Sequence, residues 1–307
     1  MYGAHPSWVL VALAGPSVYF LSFVLFRRSA RRMPPLRGSR PVRATFAMVR
    51  DPLWFAGGLL LFVGLLCQLA AFGALPSNVV QPLLGASLLP LAAYATGVLG
   101  ERLSFREWTA SGLAVLAIVL LGLSADSSVA DLRTGDAMTL APLLLVIAPP
   151  GLAAWLVWHV GDRRAGGRHA LPLSGIAYGI SAGMCAGVAE AGVRGMSAVW
   201  WREESVTAAL LSPYPLLVLG MAGITLIQLQ VALQRCRVIV VSVVMAISGR
   251  ATMLPASTVL FAEPWPTTYP PLALRALSFT LVVLAVTTFP HHATPPPGNS
   301  RRAGVGR

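Results

Sequence analysis

The chain is a succession of apolar runs, most of them long enough to cross a bilayer, separated by short segments that collect its charges and many of its prolines. The first run, Trp8 to Phe26, is about 19 residues long, just sufficient for the hydrocarbon core. Further runs predict helices at about Leu53 to Ala74, Asn78 to Leu99, Trp108 to Leu123, Met138 to His159, Leu173 to Val199, Tyr214 to Gln234, Val238 to Ala262 and Leu272 to Phe289. Only Leu75-Pro76-Ser77 joins the second and third, so these two form a tight antiparallel pair. The fifth is interrupted by Pro149-Pro150-Gly151, which predicts either a kink or a broken helix whose freed backbone groups line a cavity. In the sixth, Gly175, Gly179, Gly183, Gly187, Ala191 and Gly195 recur at every fourth position. Such a stripe lets neighbouring helices approach closely in lipid, so the sixth helix is expected at the centre of the bundle.

The polar segments orient these spans. Eight arginines fall between Arg27 and Arg50, a stretch read as a solvated cytoplasmic loop with some capacity for lipid headgroups. With Arg102, Arg106, Arg163, Arg164, Arg168, Arg235, Arg237 and the tail arginines, eighteen arginines gather on one side, whereas only Arg133 and Arg202 fall on the other. The asymmetry places the N-terminus outside and the C-terminus inside a cytoplasmic membrane. Charge behind the first span marks an anchor rather than a cleaved signal peptide.

The spans also repeat. Adding 162 places Gly58 on Gly220, Gln68 on Gln230, Ala70 on Ala232, Val79 on Val241 and Glu101 on Glu263. Spans one to four then match six to nine, and the single connector forces the second unit to enter from the opposite side, the inverted repeat of many secondary transporters. The expected organisation is a first four-helix repeat over 1–124, a connector with flanking loops over 125–171, a second repeat over 172–289 and a disordered cytoplasmic tail over 290–307. The fold class is thus an all-α integral membrane protein of about nine transmembrane helices.

Composition agrees with a membrane protein and narrows its chemistry. Hydrophobic residues make up 56% and charged residues only 11%, against about 25% charged in soluble domains. The net charge of +12 therefore reflects sidedness rather than nucleic-acid binding. All 23 basic residues are arginine, which removes the phosphate-gripping lysine of a P-loop and with it an ATP-driven pump. Cys67, Cys185 and Cys236 have neither metal-type spacing nor a disulfide framework. The five histidines lie outside the spans or at helix ends, so no enzymatic cluster and no cofactor are expected.

Charges inside the spans are the informative residues, because each one is costly there. Glu190 and Arg194 stand one turn apart on the sixth span, Arg250 lies halfway along the eighth, and Arg275 lies near the outer end of the ninth. Glu190 and Arg194 can neutralise each other as an i,i+4 pair, or Glu190 can titrate or bind a cation. Arg250 has no acid within one turn, so it meets either Glu190 across the bundle or an anionic substrate group. Arg275 is expected to snorkel outward, and Glu101 and Glu263 to be solvated at helix mouths. Gln68, Gln81, Gln228 and Gln230 supply either interhelical hydrogen bonds or an uncharged binding layer.

The basic loop followed by Pro52-Leu53-Trp54, the segment Val79-Val80-Gln81-Pro82-Leu83, the end of the third span at Gly100-Glu101-Arg102-Leu103-Ser104, and Gly112 and Gly122 in the fourth carry a resemblance. In that order they resemble the drug/metabolite transporter superfamily, including EamA-like proteins, and most closely its NIPA-like magnesium transporter branch. The resemblance is good from Trp8 to Ser124 and loose over the last four spans, and where that branch is expected to place a small hydroxyl residue this chain has Gln81. It implies a helical carrier with a central cavity, moving a small solute or a metal ion without ATP.

One glutamate against three arginines within the membrane argues for a positive cavity, hence an anionic or zwitterionic metabolite as substrate. In that reading Arg250 anchors the substrate charge, Glu190 couples or counterbalances it, Arg194 joins them among the substrate-binding residues, and the glutamines bind the polar remainder. The alternatives are a NIPA-like Mg²⁺ transporter, with Glu190 as the metal's carboxylate, and a membrane scaffold without transport. Expected partners are the substrate and membrane lipids, with a homodimer left open.

Overall fold

The computed structural model of this chain describes residues 6–37, 41–74, 83, 88–101, 103–124, 140–161, 170–261 and 268–288. Among them it is entirely helical: α1 (Pro6–Arg32), α2 (Pro41–Val49), α3 (Pro52–Ala74), α4 (Leu88–Gly97), α5 (Phe105–Leu123), α6 (Leu140–Leu156), α7 (Ala170–Glu203), α8 (Val206–Leu211), α9 (Tyr214–Arg235), α10 (Val238–Phe261) and α11 (Tyr269–Thr288). Lipid offers no partner to backbone N–H and C=O groups, so each apolar run closes its own hydrogen bonds as helix. Six helices, α1, α5, α6, α7, α9 and α10, are long and apolar enough to cross a membrane, and α2 and α3 meet at a 91° bend and pass the same test only when taken together. The described parts of α4 and α11 are shorter apolar helices.

Helix α7 is the axis of the second half, packed along both α9 and α10. Its small-residue stripe makes this possible. A Cβ on Gly183 would stand 2.4 Å from the Met245 carbonyl oxygen, one on Gly187 2.2 Å from that of Gly249, and one on Gly195 2.4 Å from the Tyr214 ring. The centrality expected of the sixth span is thus realised by backbone-to-backbone approach. In the first half α1 packs along α3, with Gly64 against the Tyr19 backbone and Gly15 against Cys67. Helices α5 and α11 form a further pair, and α1 touches α9, α4 and α10. The main core lies where these meet, around Phe23, Phe26, Leu91, Tyr178, Leu233 and Ile239.

Several sequence expectations change. Helix α6 runs unbroken through Pro149-Pro150-Gly151, and a π-helical turn at Val157–Gly161 follows it. Its Leu144, Leu145, Leu152 and Trp155 face outward, while Pro150 is buried and its carbonyl accepts a long contact of 4.0 Å from Cys185 Sγ. The stretch 27–50 is not one loop, since α1 continues to Arg32 and α2 occupies Pro41–Val49. At the other end α7 absorbs the expected Arg202-Glu203 loop and terminates at Glu204, whose φ of +49° leaves the helical region. Gly100 turns the chain after α4 with φ +67°, a conformation suited to glycine.

Candidate functional site

Arg250 and Glu190 meet across the bundle. Arg250 projects from α10 toward α7, where its NH1 donates to Glu190 Oε1 at 2.6 Å, and the same nitrogen lies 3.4 Å from Met253 Sδ. From α3, Gln68 Nε2 reaches Glu190 Oε1 at 3.5 Å, so one carboxylate oxygen collects groups from both halves. The pair is largely sheltered, with side chains 12% and 22% exposed for Arg250 and Glu190. A cavity of about 10 Å³, room for a single water, lies beside Arg250 against Ile247, Ser278 and Phe279. The arrangement is closed around the charges.

One turn further along α7, Arg194 is buried and donates to Ser257 Oγ on α10 at 3.1 Å. Arg275, expected to snorkel outward, is instead 8% exposed. Its Nε and NH2 reach the Ser124 hydroxyl (3.4 Å) and carbonyl (3.5 Å) at the C-cap of α5. A helix C-terminus carries partial negative charge from its free carbonyls, which suits a guanidinium there.

The glutamines part company. Gln230 donates from Nε2 to the Phe26 carbonyl at 3.2 Å, tying α9 to α1. Gln228 is fully buried, and neither its Oε1 nor its Nε2 has a hydrogen-bond partner among the described residues. Gln81 and Glu263 lie outside the described residues. Of the predicted polar set, then, Glu190, Arg250 and Gln68 converge, Arg194 is adjacent, and Gln228 and Gln230 belong to helix interfaces.

A second charged layer sits at the end of the bundle where α9 turns into α10. Glu101, expected in solvent, is only 7% exposed. Its Oε1 accepts the Val238 N–H at 3.3 Å and lies 3.8 Å from Arg27 Nε. Burial pushes its carboxyl above the ordinary glutamate range, opposed in part by the Val238 hydrogen bond and the Arg27 charge. Beside it Arg237 NH1 donates to both oxygens of Glu107, at 2.9 and 3.0 Å. The sequence reading passed over Glu107, although Ser104-x-x-Glu107 is a capping-box pattern that could have exposed it. Ser104 N donates to Glu107 Oε2 at 2.7 Å and Glu107 N to Ser104 Oγ at 3.3 Å, which starts α5 and fixes the carboxylate. Nearby, Cys236 is buried between two arginines, its thiol pushed up to about 11 chiefly by desolvation. No group of three or more His, Cys, Asp or Glu side chains suited to a metal occurs among the described residues.

Comparison with known proteins places these features in a family. No solved structure matches the chain. A mouse protein, magnesium transporter NIPA4, is 28% identical over 99 residues, a stretch covering 32% of this chain and 24% of the mouse protein. The chain thus aligns with about a quarter of that relative's length. The family described as Magnesium transporter NIPA matches residues 4–292, nearly the entire chain. A membrane transporter family matched from before the first apolar helix to beyond the last accounts for the apolar helices and the sheltered polar layer alike, and the chain belongs to the NIPA magnesium transporter family.

Proposed function

We propose that this protein carries Mg²⁺ across a membrane by alternating access, with Glu190 as the carboxylate that receives the ion midway. The observation that carries this reading is the Arg250–Glu190 contact of 2.6 Å. The count of one glutamate against three arginines had favoured an anionic or zwitterionic metabolite. The pair leaves Arg194 and Arg275 as the remaining guanidiniums, donating to Ser257 and to the Ser124 hydroxyl and carbonyl, and supports Glu190 as a carboxylate that holds a cation at this depth. Family membership favours the cation for the same site. Magnesium keeps several waters and needs only one or two carboxylates. Glu190 can supply one, and rotation of the Gln68 amide can present an oxygen beside it. In this mechanism Arg250 is a tethered cation that occupies Glu190 until a hydrated ion displaces it.

The proposed architecture is the nine-span inverted repeat with termini as the arginine asymmetry predicts, in a cytoplasmic membrane. Equivalent helix pairs support it: α1 packs on α3 as α7 packs on α9, and α1 meets α4 as α7 meets α10. The repeated glutamines also cross in opposite senses. Gln68 reaches residue 190 on α7, and Gln230 reaches residue 26 on α1, whose repeat equivalent is 188.

The test is Mg²⁺ entry into proteoliposomes containing a magnesium-sensitive dye, comparing wild type, Glu190→Gln and Arg250→Gln with empty vesicles. Entry by wild type, lost in Glu190→Gln and kept in Arg250→Gln, supports the reading. No entry from folded wild-type protein, or undiminished entry through Glu190→Gln, overturns it.

A further inference from the structure

The end of α1 and the start of α2 form a recess that the transport reading does not use. A groove of about 490 Å³ is lined by Arg31, Arg37 and Arg235 together with Met33, Leu36 and Gln234, and no carboxylate is among its lining residues that the structure describes. The groove is built rather than a chance gathering of surface side chains. Gln234 holds its wall: Nε2 donates to the carbonyls of Ala30 (3.0 Å) and Pro34 (3.1 Å), and Oε1 accepts the Leu36 N–H at 2.8 Å. Leu36 is thereby buried between two arginines that remain exposed. Arg235 is steadied from behind, hydrogen-bonded to the Ser174 hydroxyl and with its guanidinium 4.8 Å from the Tyr178 ring centroid. Three planar cations around a recess with an apolar floor match a phosphate joined to hydrocarbon better than a free ion.

A separate observation places this recess at a lipid surface. Helix α2 meets α3 at 91°, so when α3 spans the membrane α2 lies in the membrane plane. Its exposed residues Val42, Phe46 and Val49, 67%, 62% and 60% accessible, follow i, i+4, i+7 spacing and share one face. Ala44 and Met48 are buried against the bundle. A short helix with one apolar face, flanked by Arg43 and Arg50, has the character of an interfacial helix. The chain leads from the groove at Arg37 to this helix within a few residues.

We infer that the Arg31–Arg37–Arg235 groove is a binding site for the phosphate headgroup of an anionic phospholipid, with α2 seated in the adjoining headgroup layer. The site is separate from Glu190 and does not depend on which ion is carried.

The test uses full-length protein released from nanodiscs of equal phosphatidylglycerol and phosphatidylcholine and read by native mass spectrometry. Retained phosphatidylglycerol is compared among wild type, Arg31→Gln/Arg37→Gln, and an Arg32→Gln/Arg106→Gln control that removes two exposed arginines outside the groove. Wild type is expected to retain phosphatidylglycerol selectively. At about fivefold per arginine near the surface, the groove variant should lose about thirtyfold in apparent affinity while the control changes little. Equal losses in both variants would mean a diffuse basic surface and would overturn the site. Displacement of the bound lipid by millimolar inorganic pyrophosphate, with no preference between lipids, would assign the groove to soluble phosphates and likewise overturn the proposal. Size-exclusion profiles and the intact folded mass separate a lost site from a lost fold, and Arg31→Lys/Arg37→Lys, which keeps the charge, should recover most of the binding.

Discussion

Breaking the Arg250–Glu190 pair one partner at a time should cost more than removing both together. Two opposite charges with centres about 4 Å apart interact by about 4 kcal/mol at an effective dielectric of about 20, the value suited to partly sheltered pairs. Both side chains here are less than a quarter exposed, so screening removes only part of this. Glu190→Gln leaves the guanidinium facing Met253 Sδ and an amide, and stranding a buried charge typically costs about 3 to 5 kcal/mol. Arg250→Gln leaves Glu190 with the weak Gln68 contact of 3.5 Å and with Arg194 one turn away on the same helix, so its loss should be smaller, about 2 to 3 kcal/mol. The double variant strands neither charge and should lose no more than about 2 kcal/mol, giving a coupling energy of at least about 3 kcal/mol. Reversible unfolding of the four proteins in mixed micelles, followed by circular dichroism, measures the cycle. If the single losses add to the double within about 0.5 kcal/mol, the two residues do not form an energetically coupled pair and the tethered-cation mechanism falls with it.

Gly187→Val should prevent tight α7–α10 packing, because the added Cβ alone would stand 2.2 Å from the Gly249 carbonyl oxygen; Gly112→Ala, with nothing within 4 Å, should be neutral or slightly stabilising, and yields of monodisperse protein compare them. Glu101 holds its proton more tightly when folded than when unfolded, so folded protein binds the extra proton as pH rises past the ordinary glutamate value of about 4.3; stability should fall through that window and level off above the raised value. Melting temperatures between about pH 4 and pH 8 should show this decline, and its persistence in Glu101→Gln would assign it to another group. Gln228→Met removes an amide that is buried without a partner, so it should stabilise the protein by about 1 kcal/mol in micelle unfolding; a loss of similar size would mean that the amide is satisfied in the folded protein.

Helix positions were legible in the sequence because lipid makes them so: an apolar run has no other way to satisfy its backbone, and α9 and α10 begin and end within one residue of the predicted limits. The glycine stripe was legible for a related reason, since small residues at every fourth position have one use in lipid. Charges were harder to place. Glu101 looked solvated because it stands at a helix mouth, but Val238 N–H, left free at the start of α10, and Arg27 together draw it inside. Arg275 looked interfacial because it stands near the outer end of its span, yet the carbonyl end of α5 draws it into the bundle. For Arg250 the correct partner was among the alternatives, but choosing it required knowing that α7 and α10 pack face to face. Helix α2 went unread because its arginines conceal an apolar face only two turns long.

The two charged layers explain how an arginine-rich chain can belong to a cation transporter family. In the proposed topology most of its arginines lie on one side of the spans, away from the cargo's path. Those within or beside the bundle are held by chemistry that differs with depth: Arg250 by a carboxylate at the middle, Arg275 by a helix terminus, Arg237 by the capping glutamate of α5. The Glu190–Arg250 contact at the middle of α10 and the Glu107–Arg237 contact just before its start are ion pairs that a shift of this helix must remake. In the proposed mechanism a divalent ion that takes Glu190 frees Arg250, so water brought in on the hydrated ion has to replace the guanidinium's hydrogen bonds. An anionic cargo would take Arg250 and free Glu190 at a similar cost, so the pair is symmetric in sign and it is family membership that favours the cation.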